Sequence, residues 1–389
     1  MPIERRDALK LAAAVAASSL TFVASAPSSN DLASLERPRV MAAANEYLTR
    51  SPQTITAFHA ARSAGGPHDF FSEGDYWWPD TAHPDGPYIR RDGESNPGNF
   101  VDHRRAMMRL SVEMPALTAA WLLTSHSRYA EHARRHLYAW FVDPATRMSP
   151  NLQYAQAIHG VTTGRGTGII DTIHLVEVAR AIAVLRRTHM LSDKEFGPIR
   201  AWFADYTRWM TTSPNGIEER EAKNNHGTCW VMQVAAFATL TGDRSLVEMC
   251  RRRFTEVLLP AQMATDGSFP LELARTKPYG YSLFNLDAVA TICQIVDGDL
   301  WRFELPDGRG MRRALSFMSP YIQDKRAWPH SPDVQYFDQW PMRHAALLFG
   351  GLALDRPEDV ALWKTLKADS PVEEVVRNFF IRQPLLWVD

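Results

Sequence analysis

Residues 223–230 read KNNHGTCW, so two asparagines and a histidine stand at the start of an apolar helical pattern. Side-chain amide and imidazole groups can donate hydrogen bonds to an oxygen that gains negative charge during a reaction. A helix start needs only one polar cap. Capping therefore explains one asparagine, with His226 as a surface residue, and leaves the second asparagine without a role.

A second chemical stretch, ELARTKPYGYSLFNL at 272–286, holds four cationic or phenolic side chains: Arg275, Lys277, Tyr279 and Tyr281. A tyrosine has an ordinary pKa of about 10, and a neighbouring cation favours its ionised form. Such a tyrosine can take a proton from a substrate and return one to a leaving group. The alternative is a basic surface loop carrying packed tyrosines, and Pro278 and Gly280 predict irregular backbone here.

The elements that must position these residues are helices. Apolar residues recur at helical spacing in six segments: 103–124, 127–142, 171–190, 226–241, 244–260 and 283–297. Five further helices are predicted at 37–49, 193–212, 308–323, 341–352 and 371–380. No convincing run of alternating strand residues appears. The sequence therefore predicts an all-α protein.

A weak internal repeat indicates how the helices are arranged. Residues 120–137 align with 237–254, and a looser copy lies at 183–203. Each reads as the end of a helix, a short polar turn and a second helix. Such hairpins predict an incomplete α/α toroid of about five to seven hairpins, formed by a single domain over residues 30–389. An α-solenoid is the alternative.

Two long segments interrupt the helical pattern, at 72–100 and 143–170. Loops longer than about 12–15 residues inside a compact domain are usually functional or disordered. Tyr76, Trp77 and Trp78 argue against disorder in the first of them. We expect both loops to fold over one mouth of the toroid.

Composition excludes several classes of partner. The formal net charge is −1, so no overall field favours nucleic acid. The three cysteines are far apart and form no CxxC pair, which indicates neither a disulfide framework nor a zinc site. His132 and His136 are spaced as metal ligands can be, but their basic helix predicts a solvated face. We expect no metal and no cofactor.

The amino terminus has the features of an export signal. Residues 1–26 combine Arg5 and Arg6 with an apolar run and a small-residue end. The paired arginines indicate the twin-arginine route. We expect a periplasmic or secreted protein with no membrane contact after removal of the signal; a retained amino-terminal anchor is the alternative.

Three stretches carry a family resemblance: YAEHARRHLYAWFVDPATRMSPNLQYAQAIHGVTTGRGTGIIDT at 129–172, NNHGTCW at 224–230 and LELARTKPYGYSLFNL at 271–286. Together they resemble the alginate lyase superfamily of α/α-toroid polysaccharide lyases. The resemblance is closest to polysaccharide lyase family 38 and more distant to family 5. It extends from about residue 70 to about residue 345.

The resemblance implies cleavage of a β-1,4-linked polyuronate, either alginate (polymannuronate) or glucuronan, by β-elimination. The Asn-His pair, the Arg and the Tyr of the family's active site map onto four residues here: Asn225, His226, Arg275 and Tyr281. In the family-5 pattern the Arg and Tyr lie one residue further apart. The alignment therefore runs through Phe284, and Tyr279 remains a second candidate for the tyrosine.

Beta-elimination explains why these residue types suit the reaction. The proton on C5 is very weakly acidic while the neighbouring carboxylate keeps its full charge, and donors such as Asn225 and His226 can neutralise that charge. Tyr281 can then take the proton and return one to O4. In mannuronate and glucuronate both groups lie on one face of the ring. In guluronate they lie on opposite faces, and a second base such as His226 would be needed.

Further side chains are candidates for binding an anionic sugar polymer. The cations are Arg165, Lys277, Arg90 and Arg91, the stacking aromatics are Tyr76, Trp77, Trp78 and Tyr279, and the polar loop residues are Asn151 and Gln153. For each of these, packing within a loop or a plain surface charge is the alternative.

Two other functions compete with a lyase. A glycoside hydrolase on a similar barrel would need two carboxylates flanking the bond, and five are available: Asp75, Asp80, Asp171, Glu219 and Glu221. A non-catalytic glycan-binding protein could also use this fold, although the presence of all four family residues argues against it.

Overall fold

A computed structural model describes residues 29–296 and 298–388. Its α-helices are, in chain order, α1 (Ser29–Tyr47), α2 (Asp102–Thr124), α3 (Ser127–Phe141), α4 (Leu175–Arg187), α5 (Asp193–Thr212), α6 (Pro214–Arg220), α7 (Asn225–Thr241), α8 (Arg244–Arg253), α9 (Leu259–Gln262), α10 (Pro270–Leu273), α11 (Pro278–Val296), α12 (Met311–Gln323), α13 (Ala345–Ala353), α14 (Pro357–Thr365) and α15 (Glu373–Asn378). Four short strands accompany them: β1 (Phe71–Glu73), β2 (Trp77–Trp78), β3 (Ile89–Arg90) and β4 (Tyr154–Ala157).

The helices form an inner and an outer layer. In the inner layer α2 packs on α4, α4 on α7, α7 on α11, and α11 on α13. These helices are apolar around most of their circumference, which suits elements covered on all sides. The outer helices α3, α5, α8, α12 and α14 pack on this layer and are buried along one face. The predicted all-α toroid is confirmed.

The predicted repeat corresponds to helical hairpins. Residues 120–137 hold the turn between α2 and α3, and residues 237–254 hold the turn between α7 and α8. Both inner helices end at a residue with left-handed backbone, Ser125 with φ 56° and Gly242 with φ 84°. This conformation ends a helix by redirecting the chain within one residue. The short polar turns seen in the sequence therefore produce the tight reversals of the toroid.

Helix α5 has the predicted bounds because its signals are local. Ser192 caps it by accepting a hydrogen bond from the Glu195 backbone, and the Glu195 side chain accepts one from the Ser192 backbone.

The predicted helix 244–260 is instead divided into α8, a π-helical turn and α9. Pro260 has no N–H for the helical hydrogen bond to residue 256, so the backbone pattern shifts there.

Helix α11 begins earlier than the sequence pattern predicts. The prediction placed an irregular loop at Pro278 and Gly280 with a helix from 283, whereas the helix starts at Pro278. The carboxylate of Asp333 accepts hydrogen bonds from the Tyr279 and Gly280 backbone N–H groups, both at 2.9 Å. This cap comes from a distant loop and satisfies N–H groups that a helix start leaves free.

The two long loops contain strands that the sequence pattern did not show. Strand β1 pairs in parallel with β4, and this pair joins the first loop to the second. Strand β2 pairs antiparallel with β3 inside the first loop. These strands are two to four residues long, too short for an alternating pattern to be visible. The pairing gives both loops a defined position beside α6, α7 and α11.

Two histidines lie elsewhere than the sequence indicated. His132 and His136 were expected on a solvated face, but they are 7% and 1% exposed. They belong to the buried face of α3, where His132 Nε2 lies 2.8 Å from the Arg50 carbonyl oxygen. The arginines of the same helix occupy its other face. The three cysteines are buried and free, as expected of small apolar residues.

The export signal expected at residues 1–26 lies outside the described residues. Across 29–296 and 298–388, no helix combines the length and the apolar character needed to cross a bilayer.

Candidate active site

A cavity of about 580 Å³ lies where the two long loops meet the first turns of α7 and α11. Its wall includes all four residues assigned by the family resemblance, together with four of the predicted binding residues: Asn225, His226, Arg275, Tyr281, Tyr76, Trp77, Arg90 and Arg165. Residues of α6 and α15 complete the wall. The structure thus brings together residues from opposite ends of the sequence.

The first turn of α7 separates the roles of the two asparagines. Asn224 is the helix cap, and its side-chain oxygen accepts a hydrogen bond from the His226 backbone at 3.3 Å. Asn225 instead directs its side-chain Nδ2 to Glu272, at 2.6 Å, and its backbone N–H to the other oxygen of that carboxylate, at 2.7 Å. A carboxylate only accepts, so this contact fixes the orientation of the amide. One Nδ2–H remains for a ligand.

His226 is held by a different carboxylate from the one that binds Asn225. Its Nδ1 lies 2.7 Å from an oxygen of Glu219, a buried residue of α6. A carboxylate oxygen accepts hydrogen bonds, so this contact suits a proton on Nδ1 and leaves Nε2 for a ligand. Glu219 was a candidate hydrolase carboxylate in the sequence, and in the structure it is the partner of His226.

Arg275 is bound to a residue of the first loop. Its Nε and Nη2 donate to the two carboxylate oxygens of Asp92 at 3.1 and 2.9 Å. The same Nη2 lies 3.4 Å from the Tyr281 hydroxyl, and the guanidinium carbon is 4.4 Å from the centre of that ring. Burial alone would raise the pKa of Asp92, but the hydrogen bonds and charge of Arg275 lower that pKa to about 2.

Tyr281 faces the cavity from the first turn of α11. Its hydroxyl oxygen lies 2.7 Å from that of Tyr76. Burial raises the pKa of Tyr281 well above its ordinary value, Tyr76 adds to that rise, and Arg275 opposes it. The expected cation is therefore in place, but burial has the larger effect on this pKa.

Among the predicted binding residues that lie outside the cavity wall are Tyr279, Lys277 and Asn151. The Tyr279 ring is buried against Trp328 and Phe337, and its hydroxyl donates to the Tyr321 carbonyl at 3.0 Å. Helical geometry explains this, because residues two apart on α11 point in different directions. Of the two candidate tyrosines, the geometry therefore favours Tyr281.

The other two residues serve nearby structure. Lys277 is 5% exposed and its Nζ lies 3.4 Å from Glu374 of α15, so its charge is balanced internally. Asn151 accepts a hydrogen bond from the Gln153 backbone at 3.0 Å and forms a local turn in the second loop. In this arrangement neither side chain is available to a polymer in the cavity.

Some of the remaining loop aromatics and cations line the cavity, and others pack on one another outside it. Trp77 lines the cavity, with the Arg165 guanidinium 5.9 Å from its ring centre. Arg90 also lines the cavity, whereas Arg91 stacks on Trp78 at 4.9 Å from that ring. A sugar in the cavity would therefore meet Arg90 and Arg165 as its nearest loop cations.

Several cavity residues were not identified from the sequence: Gln156, Glu218, Arg377 and Asn378. Arg377 belongs to α15, and its guanidinium lies 2.5 Å from Asp75, which Arg104 contacts at 2.6 Å. These two cations hold the pKa of Asp75 below its ordinary value although burial acts the other way. No motif surrounds Arg377 in the sequence, since its position depends on how the last helix folds back.

The carboxylates that line the cavity are each engaged by another protein group. Asp75 is bound by Arg104 and Arg377, and Glu219 is bound to His226. Glu218 accepts a hydrogen bond from the Gly166 backbone, and Glu221 is paired with Arg220 and Arg253. A hydrolase needs one protonated carboxyl group and a second carboxylate on either side of the bond. The fold and the cavity define instead an α/α-toroid polysaccharide lyase, with amide, imidazole, guanidinium and phenol groups at its centre.

The chain belongs to the alginate lyase family. The family model described as alginate lyase matches residues 54–328, which confirms the resemblance seen in the sequence. The crystal structure of an alginate lyase from Bacteroides ovatus is similar with a TM-score of 0.78 and 31% identity, covering 90% of this chain and 93% of that chain.

More distant structures share the fold. Alginate lyase A1-III from Sphingomonas species A1 has a TM-score of 0.53 at 13% identity, covering 90% of this chain and 94% of that chain. A variant of alginate lyase A1-III complexed with a tetrasaccharide has a TM-score of 0.57 at 14% identity, with the same coverage. A search of curated proteins gives no significant match.

Proposed function

We propose that the protein depolymerises alginate by β-elimination, with mannuronate as the residue whose C5 proton is removed. The observation that supports this most directly is the convergence of Tyr281, Arg275, Asn225 and His226 on one cavity. The similar structures from Bacteroides ovatus and Sphingomonas species A1 are named alginate lyases, which supports the choice of polymer.

The first task of the site is to reduce the charge of the substrate carboxylate. Asn225 has one Nδ2–H left beyond its contact with Glu272, and His226 has Nε2 left beyond its contact with Glu219. Hydrogen bonds from the Asn225 amide, and from His226 Nε2 when the ring carries a proton on both nitrogens, would strengthen as negative charge spreads from C5 into the carboxylate. Because Glu272 and Glu219 fix both donors in advance, the site loses little free energy in orienting them.

The second task is proton transfer. A Tyr281 phenolate takes the C5 proton, the electron pair forms the C4–C5 double bond, and the C4–O4 bond breaks. The same hydroxyl then gives its proton to the O4 of the leaving sugar, which restores the phenolate. In mannuronate, H5 and O4 lie on one face of the ring, so one phenolic oxygen serves both steps.

Other uronates place different demands on this site. Glucuronate has the same configuration at C4 and C5 as mannuronate, so the chemistry alone would also serve glucuronan. Guluronate has H5 and O4 on opposite faces and would need His226 Nε2 as a separate base. Since one hydroxyl, that of Tyr281, suffices for a single-face elimination, we expect polymannuronate to be the preferred polymer.

The test compares three polymers and two readouts. The protein is incubated with polymannuronate, polyguluronate and glucuronan, and both near-ultraviolet absorbance and reducing ends are followed. Elimination produces the conjugated C4–C5 double bond together with new ends, and we expect the fastest rise on polymannuronate. New reducing ends without absorbance would identify a hydrolase, and neither signal would identify a binding protein.

We further propose that the protein is exported. The support is the sequence alone, since residues 1–26 carry paired arginines, an apolar run and a small-residue end. Fractionation of cells that express the full chain should recover the enzyme in the periplasm or medium. Replacement of Arg5 and Arg6 by lysine should leave it in the cytoplasm, and unchanged export would reject the twin-arginine route.

A further inference from the structure

Asp92 occupies a position that the reaction scheme above leaves unexplained. It belongs to the first loop, yet its carboxylate accepts both hydrogen bonds that Arg275 donates from Nε and Nη2. Thr276 also donates to Asp92, with its hydroxyl 3.0 Å from Oδ2 and 3.1 Å from the backbone oxygen. The Asp92 side chain is 24% exposed, so the pair is largely shielded from water.

We propose that Asp92 is a positioning residue for the elimination reaction: it holds the Arg275 guanidinium beside the Tyr281 hydroxyl and balances its charge. The inference rests on the proposed function, because Asp92 acts only through Arg275 and Tyr281. It also divides the work of the site, since Nε and Nη2 of Arg275 are engaged by Asp92 and cannot form a two-point contact with the substrate carboxylate. Asn225 and His226 are then the main donors to that carboxylate.

Asp92 restricts the conformational freedom of the Arg275 side chain. A free arginine has four rotatable bonds and loses much entropy when it is held in one place. A two-point contact with a carboxylate fixes the plane of the guanidinium as well as its position. In this plane Nη2 reaches both Asp92 at 2.9 Å and the Tyr281 hydroxyl at 3.4 Å. Asp92 therefore determines where the cation stands relative to the reacting oxygen.

The charge of Asp92 also affects the ionisation of the Tyr281 hydroxyl. The groups that face its hydroxyl with a charge or a proton are Tyr76 and Asp92 from the loop and Arg275 from its own segment. Arg275 favours the phenolate, whereas Asp92 and Tyr76 oppose it. Asp92→Asn removes the charge but keeps an oxygen that accepts one of the two Arg275 hydrogen bonds, so the cation stays near Tyr281 without its counter-charge and the phenolate would form at lower pH. A residue that serves only the structure of the loop would not produce this shift.

The alternative is that Asp92 merely anchors the loop. Other contacts also join this part of the loop to neighbouring segments, because the Ser95 backbone N–H donates to the Gln335 side chain and Arg62 donates to the Gly98 carbonyl. Thr276→Val is a suitable control because it removes the hydroxyl that binds Asp92 and leaves all charges unchanged. Asp85→Asn is the control for charge, since Asp85 is an exposed residue of the same loop.

The experiment measures kcat and KM of the full chain on polymannuronate across pH for the wild type, Asp92→Asn, Thr276→Val and Asp85→Asn. For Asp92→Asn we expect kcat to fall about tenfold or more with KM changed less than about threefold. The rising limb of its kcat/KM profile should move to lower pH. Thr276→Val should leave that limb in place, and Asp85→Asn should match the wild type.

Each outcome decides the question. A wild-type kcat for Asp92→Asn, or a raised KM with unchanged kcat and an unmoved limb, would overturn the positioning role and leave an anchor. If Asp92→Asn does not fold, Asp92→Glu keeps the charge while displacing it, and it should lower kcat without the shift to lower pH. A wild type that gives no absorbance change on any polymer rejects the proposed function itself, which is a separate result from failure of the variant.

Discussion

The hydroxyl oxygens of Tyr76 and Tyr281 lie 2.7 Å apart, although the two residues are 205 positions apart in the sequence. Tyr76 comes from the first loop and Tyr281 from α11, so the contact exists only when the loop lies across the cavity. Burial raises the pKa of both hydroxyls above their ordinary value. The pair therefore rests as two phenols, and Tyr281 has to release its proton to solvent before its phenolate can take the C5 proton.

The first prediction concerns which tyrosine carries the proton. Tyr281→Phe should lower kcat by about 10²- to 10⁴-fold, the usual contribution of a general acid or base. Polymer binding should remain close to that of the wild type, because the aromatic ring and the donors on α7 are unchanged. Near-ultraviolet absorbance measures turnover, and calorimetric titration with polymannuronate measures binding.

Tyr279→Phe is the matched control for this prediction. It removes a hydrogen bond of 3.0 Å to the Tyr321 carbonyl, so we expect a loss of about 1–3 kcal/mol of stability with turnover retained. An active Tyr281→Phe beside a dead Tyr279→Phe would show that the tyrosines are assigned the wrong way round.

The second prediction concerns pH. A base with a raised pKa is mostly protonated. At pH values below that pKa, its ionised fraction grows about tenfold for each unit by which the pH rises. We therefore expect kcat/KM to rise with pH across the neutral and mildly alkaline range. Tyr76→Phe removes a hydroxyl that raises the pKa of Tyr281, while Arg275 and Asp92 stay in place, so its rising limb should lie at lower pH. A profile that falls with pH over this range would exclude a phenolate base.

The third prediction concerns Glu272, which binds both the backbone and the side chain of Asn225. Glu272→Gln keeps the size of the side chain but presents an amide N–H to a donor of Asn225. That amide must then rotate, and misplacement by about 1 Å of a group near the reacting atoms can cost about 10²-fold. We expect kcat/KM to fall on that scale. Glu248→Gln, at an exposed position on α8, should leave kcat/KM unchanged.

Sequence reasoning succeeded where the signals are local. Helix α5 carries its own capping box between Ser192 and Glu195, and α7 has a polar cap followed by a mostly apolar run. The four residues assigned by the family resemblance lie in two short motifs, so finding one motif directs attention to the other. Their meeting at one cavity follows from the toroid, which places the first turns of α7 and α11 side by side.

The partners of those four residues could not be found in the same way. Glu219, Glu272 and Asp92 are ordinary acidic residues in the sequence, and each acquires a role only by facing His226, Asn225 or Arg275 after folding. The early start of α11 has the same cause, because the carboxylate that caps it belongs to Asp333 in a distant loop. Tertiary contacts decide such cases, and one sequence shows only near neighbours.

The last prediction concerns His136, which the sequence pattern wrongly predicted to be exposed to solvent. His136 is 1% exposed, and burial, with the nearby His132 and Arg109 adding to it, lowers its pKa to about 3. Glu113 is the one carboxylate among its charged neighbours in the described chain, with an oxygen 3.9 Å from Nε2. Below about pH 6.5 an unfolded chain binds a proton at this residue that the folded protein does not. The free energy of unfolding should therefore fall as pH falls from about 6.5 towards 3, by up to about 1.4 kcal/mol per pH unit from this group.

His136→Leu removes that proton-binding site while keeping an apolar side chain of similar size in the core. Urea unfolding at several pH values should show a shallower loss of stability in acid for His136→Leu than for the wild type. His126→Gln removes a histidine that is exposed at the start of α3, and its acid dependence should follow the wild type. Equal slopes for His136→Leu and the wild type would show that other groups carry the acid sensitivity, since a buried neutral imidazole must contribute to it in proportion to its lowered pKa.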